Sequence, residues 1–166
     1  MMTDKGGPVK IPLFLFPLFA EAVNAGLVKG IRMGPDPAGR GAAGSYDPFI
    51  EEIQFDPNTD WEKYAATVNA RLPGLGITAE NAIVHSFFHE IGHAMRREHF
   101  LKMRTGRLDH TGTPGISLNF LLAMRESPAY LAGQLPFVDE WIQIFAEEKW
   151  ANAYAAERFR KWKGGE

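Results

Sequence analysis

The chain contains no cysteine, and that absence removes thiolate catalysis, disulfide stapling and cysteine-based zinc fingers together. Any bound metal must sit on His, Asp or Glu. A surplus of one charge is missing too: 18 Lys and Arg face 20 Asp and Glu, a formal net charge of -2. No strong field draws nucleic acid or an acidic membrane surface, and neither partner is expected. Long apolar runs are also scarce. The most conspicuous, residues 11–19, is broken by Pro12 and Pro17 and falls far short of the roughly 20 apolar residues that a membrane-spanning helix needs. With Lys5 and Lys10 before it and Ala20-Glu-Ala22 after it, the run imitates a signal peptide, but the prolines and Asp4 fit that pattern poorly. It is read instead as an apolar N-terminal helical segment within residues 1–30, buried or facing a partner. A cytoplasmic location is expected, with secretion left open because a domain of this size does not depend on disulfides.

What is present suits one globular domain over residues 1–166, with 45% hydrophobic and 23% charged residues. There is no internal repeat. The Gly/Pro-rich stretch 34–44 is expected to be an irregular loop. Beyond it, Phe49, Ile53 and Phe55 alternate with polar residues as in a strand stopped by Asp56-Pro57, and residues 28–33 offer a partner strand. Thr59-Asp-Trp-Glu62 has the form of a capping box, followed by Trp61, Tyr64, Ala65, Val68 and Leu72 at helical spacing until Pro73-Gly74. A longer helix is expected from Thr78 as N-cap to Gly106. Another runs from Leu118, with Ser117 as N-cap, toward Gly133 with a kink at Pro128. The last spans about Pro136 to Trp162. The fold class is therefore α+β, predominantly helical, with a small sheet preceding the longer helix.

That helix carries His89-Glu-Ile-Gly-His93, an HExxH string. Residues four apart lie on adjacent turns and point about 40° from one another, so both imidazoles can hold one zinc ion. Ile83, Val84, Phe87, Phe88, Ile91, Ala94 and Met95 lie round the other side, so the helix is expected to press them into a core while the imidazoles look into a cleft. Glu90 projects about 100° from His89, too far round to share the metal and well placed to act on a water. Zinc lowers the pKa of a water it holds to roughly 7, and Glu90 would take the proton and return it to a leaving amine. The reaction class so implied is amide hydrolysis. The plain alternative is a set of surface groups that happens to match a short pattern.

Phe87-Phe-His-Glu-Ile-Gly-His-Ala94 resembles the active-site helix of the zincin metallopeptidases. The resemblance implies a zinc-dependent endopeptidase acting on peptide or protein substrates, and a zincin-like fold whose sheet edge holds an extended substrate; residues 53–55 are expected to be that edge. The chain resembles the gluzincin subgroup more closely, which takes its third ligand from a Glu on a later helix, commonly followed three residues on by Ala. Glu126-Ser-Pro-Ala129 has that form, and Glu126 is the only acid between Leu118 and Pro136. Glu148 and Glu157 are reserves, set among charged neighbours on the last helix. His99 has the spacing of a metzincin third ligand, also found in three-histidine bacterial endoribonucleases, but position 96 is Arg where those families use Gly to break the helix. His110 is read as a candidate oxyanion group, Asp109 as a partner that orients a ligand histidine, and His85 as an exposed group near the cleft. Peptide deformylases share HExxH but need a cysteine ligand. A non-catalytic, zincin-shaped regulatory or partner-binding domain is the alternative from another class, and retention of Glu90 argues against it.

Overall fold

The computed structural model describes residues 11–35, 43–98, 101 and 118–165. The architecture is α+β and mainly helical. In chain order it comprises α1 (Leu15–Asn24), β1 (Gly30–Met33), β2 (Gly44–Asp47), β3 (Glu52–Phe55), α2 (Trp61–Arg71), α3 (Ala82–Met95), α4 (Leu118–Met124), α5 (Pro128–Leu131) and α6 (Phe137–Lys163). Among the described residues no helix is long and apolar enough to cross a membrane.

The sheet has the order β1-β3-β2. β1 runs parallel to β3 with Ile31 opposite Ile53, and β2 runs antiparallel with Tyr46 opposite Ile53. Ile53 and Phe55 are fully buried while Glu52 and Gln54 are half-buried, the alternation of a sheet with one face on the core. The segment 53–55 is thus the central strand, paired on both sides, and cannot be the open edge expected for it. The strand also begins later than the alternation from Phe49 implied. Asp47 Oδ1 accepts from the amides of Phe49 and Ile50 and Glu51 adopts φ 57, which turns residues 48–51 into a tight connection instead.

β2 lies at the end of the stretch read as irregular. Gly44 belongs there because a Cβ would come within 2.9 Å of Ser86 Oγ and 3.2 Å of the Phe55 ring, so the lack of a side chain lets the strand approach α3 closely. Asp56 N donates to Ala43 O, which turns Ala43, Ser45 and Asp47 toward β3 and leaves the backbone polar groups of Gly44 and Tyr46 facing away from it, where α3 packs against the strand.

In α2, Asp60 takes the N-cap and accepts from Lys63 N at 2.9 Å. Thr59, expected there, uses its hydroxyl to donate to Asp56 O. Trp61, Ala65 and Val68 are buried at i, i+4 and i+7. Asn81, and not the expected Thr78, holds the N-cap position of α3, with no side-chain cap: its Oδ1 accepts from Thr78 N instead; the helix stops at Arg96 (φ -114, ψ 35), earlier than the uninterrupted run to Gly106 implied. Pro128 starts α5 with Ser127 as its N-cap and does not kink a continuous helix; proline at the first helical position gives up an amide that has no partner anyway. Within the apolar N-terminal segment, Leu15–Asn24 form α1, with Leu15 and Ala22 buried and Phe14 and Phe16 about half exposed.

The tightest packing joins α3 to α6. A Cβ on Gly92 would sit 3.2 Å from the Ala151 Cα and 3.4 Å from its Cβ. Glycine opposite alanine therefore sets how near the two helices come, at positions flanked by the His pair on α3 and two glutamates on α6. Gly92→Leu is expected to wedge α6 outward, lowering the unfolding midpoint by the roughly 1–3 kcal/mol typical of overpacking and weakening metal binding with it. Thermal unfolding and zinc titration read the two effects; unaltered zinc affinity would show that this approach does not govern the site.

Candidate metal centre

α3 is buried almost all round, not amphipathic as its sequence suggested, because α6 covers its histidine face and β2 and α2 take the others. His93 is 3% exposed and Glu90 6%. His89 alone of the three remains partly open.

The Nε2 atoms of His89 and His93 stand 3.1 Å apart. Glu148, from α6, brings Oε2 to 3.2 Å from His89 Nε2 and Oε1 to 3.2 Å from His93 Nε2. A tetrahedral ion with bonds of about 2.0–2.1 Å separates its ligand atoms by about 3.3 Å, close to the spacing of the two imidazole nitrogens; Glu148 approaches each of them with a different oxygen, and one atom from each of the three residues lies within 4.8 Å of the others. His89, His93 and Glu148 form the one group of three potential ligands found among the described residues. The site opens on the side of His89 and Glu148, whose side chains are 17% and 44% exposed.

Behind the donors, His93 Nδ1 donates to Glu147 Oε1 at 3.3 Å. The fully buried Glu147 also meets Arg96 Nη1 at 3.4 Å, and the Arg96 guanidinium lies over the Trp150 ring. A carboxylate that accepts from Nδ1 fixes the ring and leaves the Nε2 lone pair for a metal. Consecutive residues on a helix point about 100° apart, which is how Glu147 reaches behind His93 while Glu148 lies before it.

The electrostatics favour positive charge between the histidines and the glutamates. Burial lowers the pKa of His93, but hydrogen bonds to Glu147 and Glu148 outweigh it and raise the value to about 10. Burial pushes Glu148 up, and the two imidazoles pull it well below the usual carboxylate range. A proton on His93 answers this charge, and a cation held by the same donors could replace it. Burial raises the pKa of Glu90, with His89 and His93 opposing it and the Tyr46 amide donating to its carboxylate.

That hydrogen bond belongs to a wider registration. Gly44 abuts Ser86, Tyr46 N–H meets Glu90, and Pro48 O accepts from Arg97 Nε at 2.8 Å. β2 therefore tracks α3 in the same direction. Between the first two contacts, two strand residues rise about 6.8 Å against about 6 Å for one four-residue step of helix; the third lies past the ends of both elements and is made by the Arg97 side chain.

Of the other expected site residues, Glu126 stands exposed in the turn after α4, outside the donor group. Glu157 is exposed and pairs with Lys161 four residues on at 3.1 Å. His99, Asp109 and His110 lie outside the described residues. The chain does leave the helix at position 96 without glycine, at a negative φ that arginine adopts freely. Sequence reasoning held Glu148 only in reserve and passed over Glu147. Its signal was the row Ile144, Glu147, Ala151, Ala155, all buried, in which a carboxylate interrupts an apolar stripe.

His85 is buried, not exposed. Its Nδ1 shares a 2.8 Å hydrogen bond with Tyr64 OH, and its Nε2 meets no hydrogen-bond partner among the described residues. Burial, helped by His89 and Arg71, lowers its pKa to about 4. The unfolded chain gains a proton at His85 near pH 6.5, while the folded chain resists until about pH 4. Stability contributed by the neutral ring is thus complete above pH 6.5 and drains away as the pH falls toward 4, by on the order of 3 kcal/mol. Urea unfolding across this window should show a steeper acid loss for wild type than for His85→Asn; parallel curves would contradict it.

Comparison with protein-family models, with curated proteins and with solved structures finds no match.

Proposed function

We propose that this chain is a zinc-dependent peptide-bond hydrolase in which His89, His93 and Glu148 hold the ion and Glu90 serves as the base. The observation that carries the reading is the convergence of two imidazole nitrogens and a carboxylate at 3.1–3.2 Å, with a glutamate between the histidines in sequence and the edge of a sheet beside it. Bound zinc would supply Lewis acidity and a water made acidic near neutral pH. The residues supply the rest. Glu147 orients His93, the Tyr46 amide orients Glu90, and burial raises the proton affinity of Glu90. A peptide would approach by the His89 and Glu148 opening, since the 53–55 segment first expected to receive it is the central strand and Tyr46 of β2 is buried with its N–H turned to Glu90. The donor group fits the zincin resemblance, with Glu148 in the role first given to Glu126.

A non-catalytic, metal-binding regulatory domain is the second reading, favoured by the near-complete burial of Glu90. The three-histidine endoribonuclease depends on His99 and gains nothing from the donor group at hand. Zinc content together with peptide hydrolysis, measured for wild type, Glu90→Gln and Glu148→Ala, separates them: zinc uptake with no hydrolysis of any peptide favours the regulatory domain.

A further inference from the structure

Arg96 is the residue at which α3 stops, and it reaches His93 from two directions. Its backbone N–H donates to the His93 carbonyl at 3.1 Å. Its guanidinium meets Glu147 Oε2 at 3.4 Å, while the other oxygen of that carboxylate accepts from His93 Nδ1 at 3.3 Å. On the far side of the ring, His93 Nε2 faces His89 at 3.1 Å and Glu148 at 3.2 Å. A line of polar contacts therefore runs from the guanidinium through one carboxylate and one imidazole to the place where the three donors converge.

Ion pairs between exposed groups contribute little, but this one has a buried half. Glu147 is fully buried while Arg96 is about one-third exposed, and a buried carboxylate stripped of its counter-charge is costly. The guanidinium is itself held in place. α6 carries Glu147 and Trp150 three residues apart, on one side of the helix, and the guanidinium lies over the Trp150 ring, 5.1 Å from its centre, as it meets the carboxylate. The same ring comes within 3.4 Å of where a Cβ on Gly92 would stand. Arg96 thus spans the turn of α6 that contains Glu148 and ties it to the end of α3. Its neighbour Arg97 turns elsewhere, to Pro48 O and Glu51, so the two adjacent cations have separate tasks.

Resting on the metal centre of the hydrolase reading, we propose that Arg96 is a positioning residue for the ion: its charge holds the Glu147 carboxylate against Nδ1 of His93, and with it the ring whose Nε2 faces the ion beside Glu148. Arg96 is not itself a donor and acts through Glu147. Charge and packing are separable here. A lysine ammonium supplies the charge without the flat group that covers Trp150, whereas an uncharged chain of similar reach covers the ring and leaves the carboxylate unheld.

The test measures zinc affinity of the full-length protein by competition with a chelator, and needs no peptide substrate. Arg96→Met, which keeps apolar contact with Trp150 and removes the charge, should bind zinc roughly 10-fold more weakly, the usual cost of losing a group that orients a ligand. Arg96→Lys should recover part or all of that loss. In the Glu147→Gln background Arg96→Met should cost nothing further, because the carboxylate through which it acts is gone, and such non-additivity marks residues of one network. Should Arg96→Met fail to fold, the double variant, which leaves no charge at position 147 to compensate, still decides: it should bind zinc as Glu147→Gln alone does. Wild-type affinity in folded Arg96→Met, a lysine no better than the methionine, or losses that multiply in the double variant overturn the role of Arg96 and leave the metal centre and the hydrolase reading standing. Failure of the wild type itself to bind zinc overturns both.

Discussion

Glu148→Ala is expected to cost more than about 100-fold in zinc affinity, because removing even a group that merely orients a ligand costs roughly 10–100-fold and Glu148 contributes one of only three protein donors. Glu126→Ala serves as the contrast and should bind zinc as wild type does, since its side chain is exposed and outside the donor group. Glu147→Gln should fall between them. Its amide could still meet His93 Nδ1 through oxygen but would lose the charge that holds the imidazole and pairs with Arg96. Competition with a chelator of known affinity reads all three. Wild-type affinity in Glu148→Ala would remove this residue from the metal, and a loss in Glu126→Ala would restore the ligand expected from sequence.

Glu90→Gln is expected to leave zinc bound and to lower turnover about 10²–10⁴-fold, the usual worth of a positioned general acid or base. Glutamine matches glutamate in size and can still accept from the Tyr46 amide through its side-chain oxygen, so the fold and the donors should survive. Burial makes the charged form of Glu90 costly, and the neutral replacement should therefore keep or raise the unfolding midpoint. Loss of activity through unfolding would appear as a lower midpoint and lost zinc. Turnover within 10-fold of wild type, with zinc bound, would exclude Glu90 as the base.

Much of this arrangement can be read in the residues. Four-residue spacing of His89 and His93 is enough to bring two imidazole nitrogens together on a helix, and the alternation around Ile53 and Phe55 announces a strand. The partner strand at 28–33 is also visible, and it pairs with β3 as β1. Local patterns misled where a distant contact decided the outcome. Thr59 and Asp60 are both good N-caps; the hydroxyl of Thr59 is taken by Asp56 O, and the helix starts one residue later. Gly44 looks like the end of a loop until Ser86 is placed against it. Glu148 looks solvated between Glu147 and Lys149, yet the residues that surround a helical position lie three and four away. For Glu148 these are Ile144, Phe145, Ala151 and Asn152, of which Ile144 and Ala151 are buried. The helix ending at Arg96 was hidden because the residue that leaves the helix also finds Glu147, 51 positions on in the chain.

The placing of Glu147 and Glu148 side by side on α6 constrains how the chain can vary. Both functions depend on the rotational phase of one long helix, and adding or deleting a single residue between Pro136 and Glu147 would rotate everything on one side of the change by about 100°. Substitutions along that stretch disturb one contact at a time, whereas a change in its length would bring a neighbouring side chain round into the position of the ligand and displace the carboxylate behind His93. Length variation should thus be tolerated in the connections between elements, while α6 keeps a fixed residue count from its start to the ion.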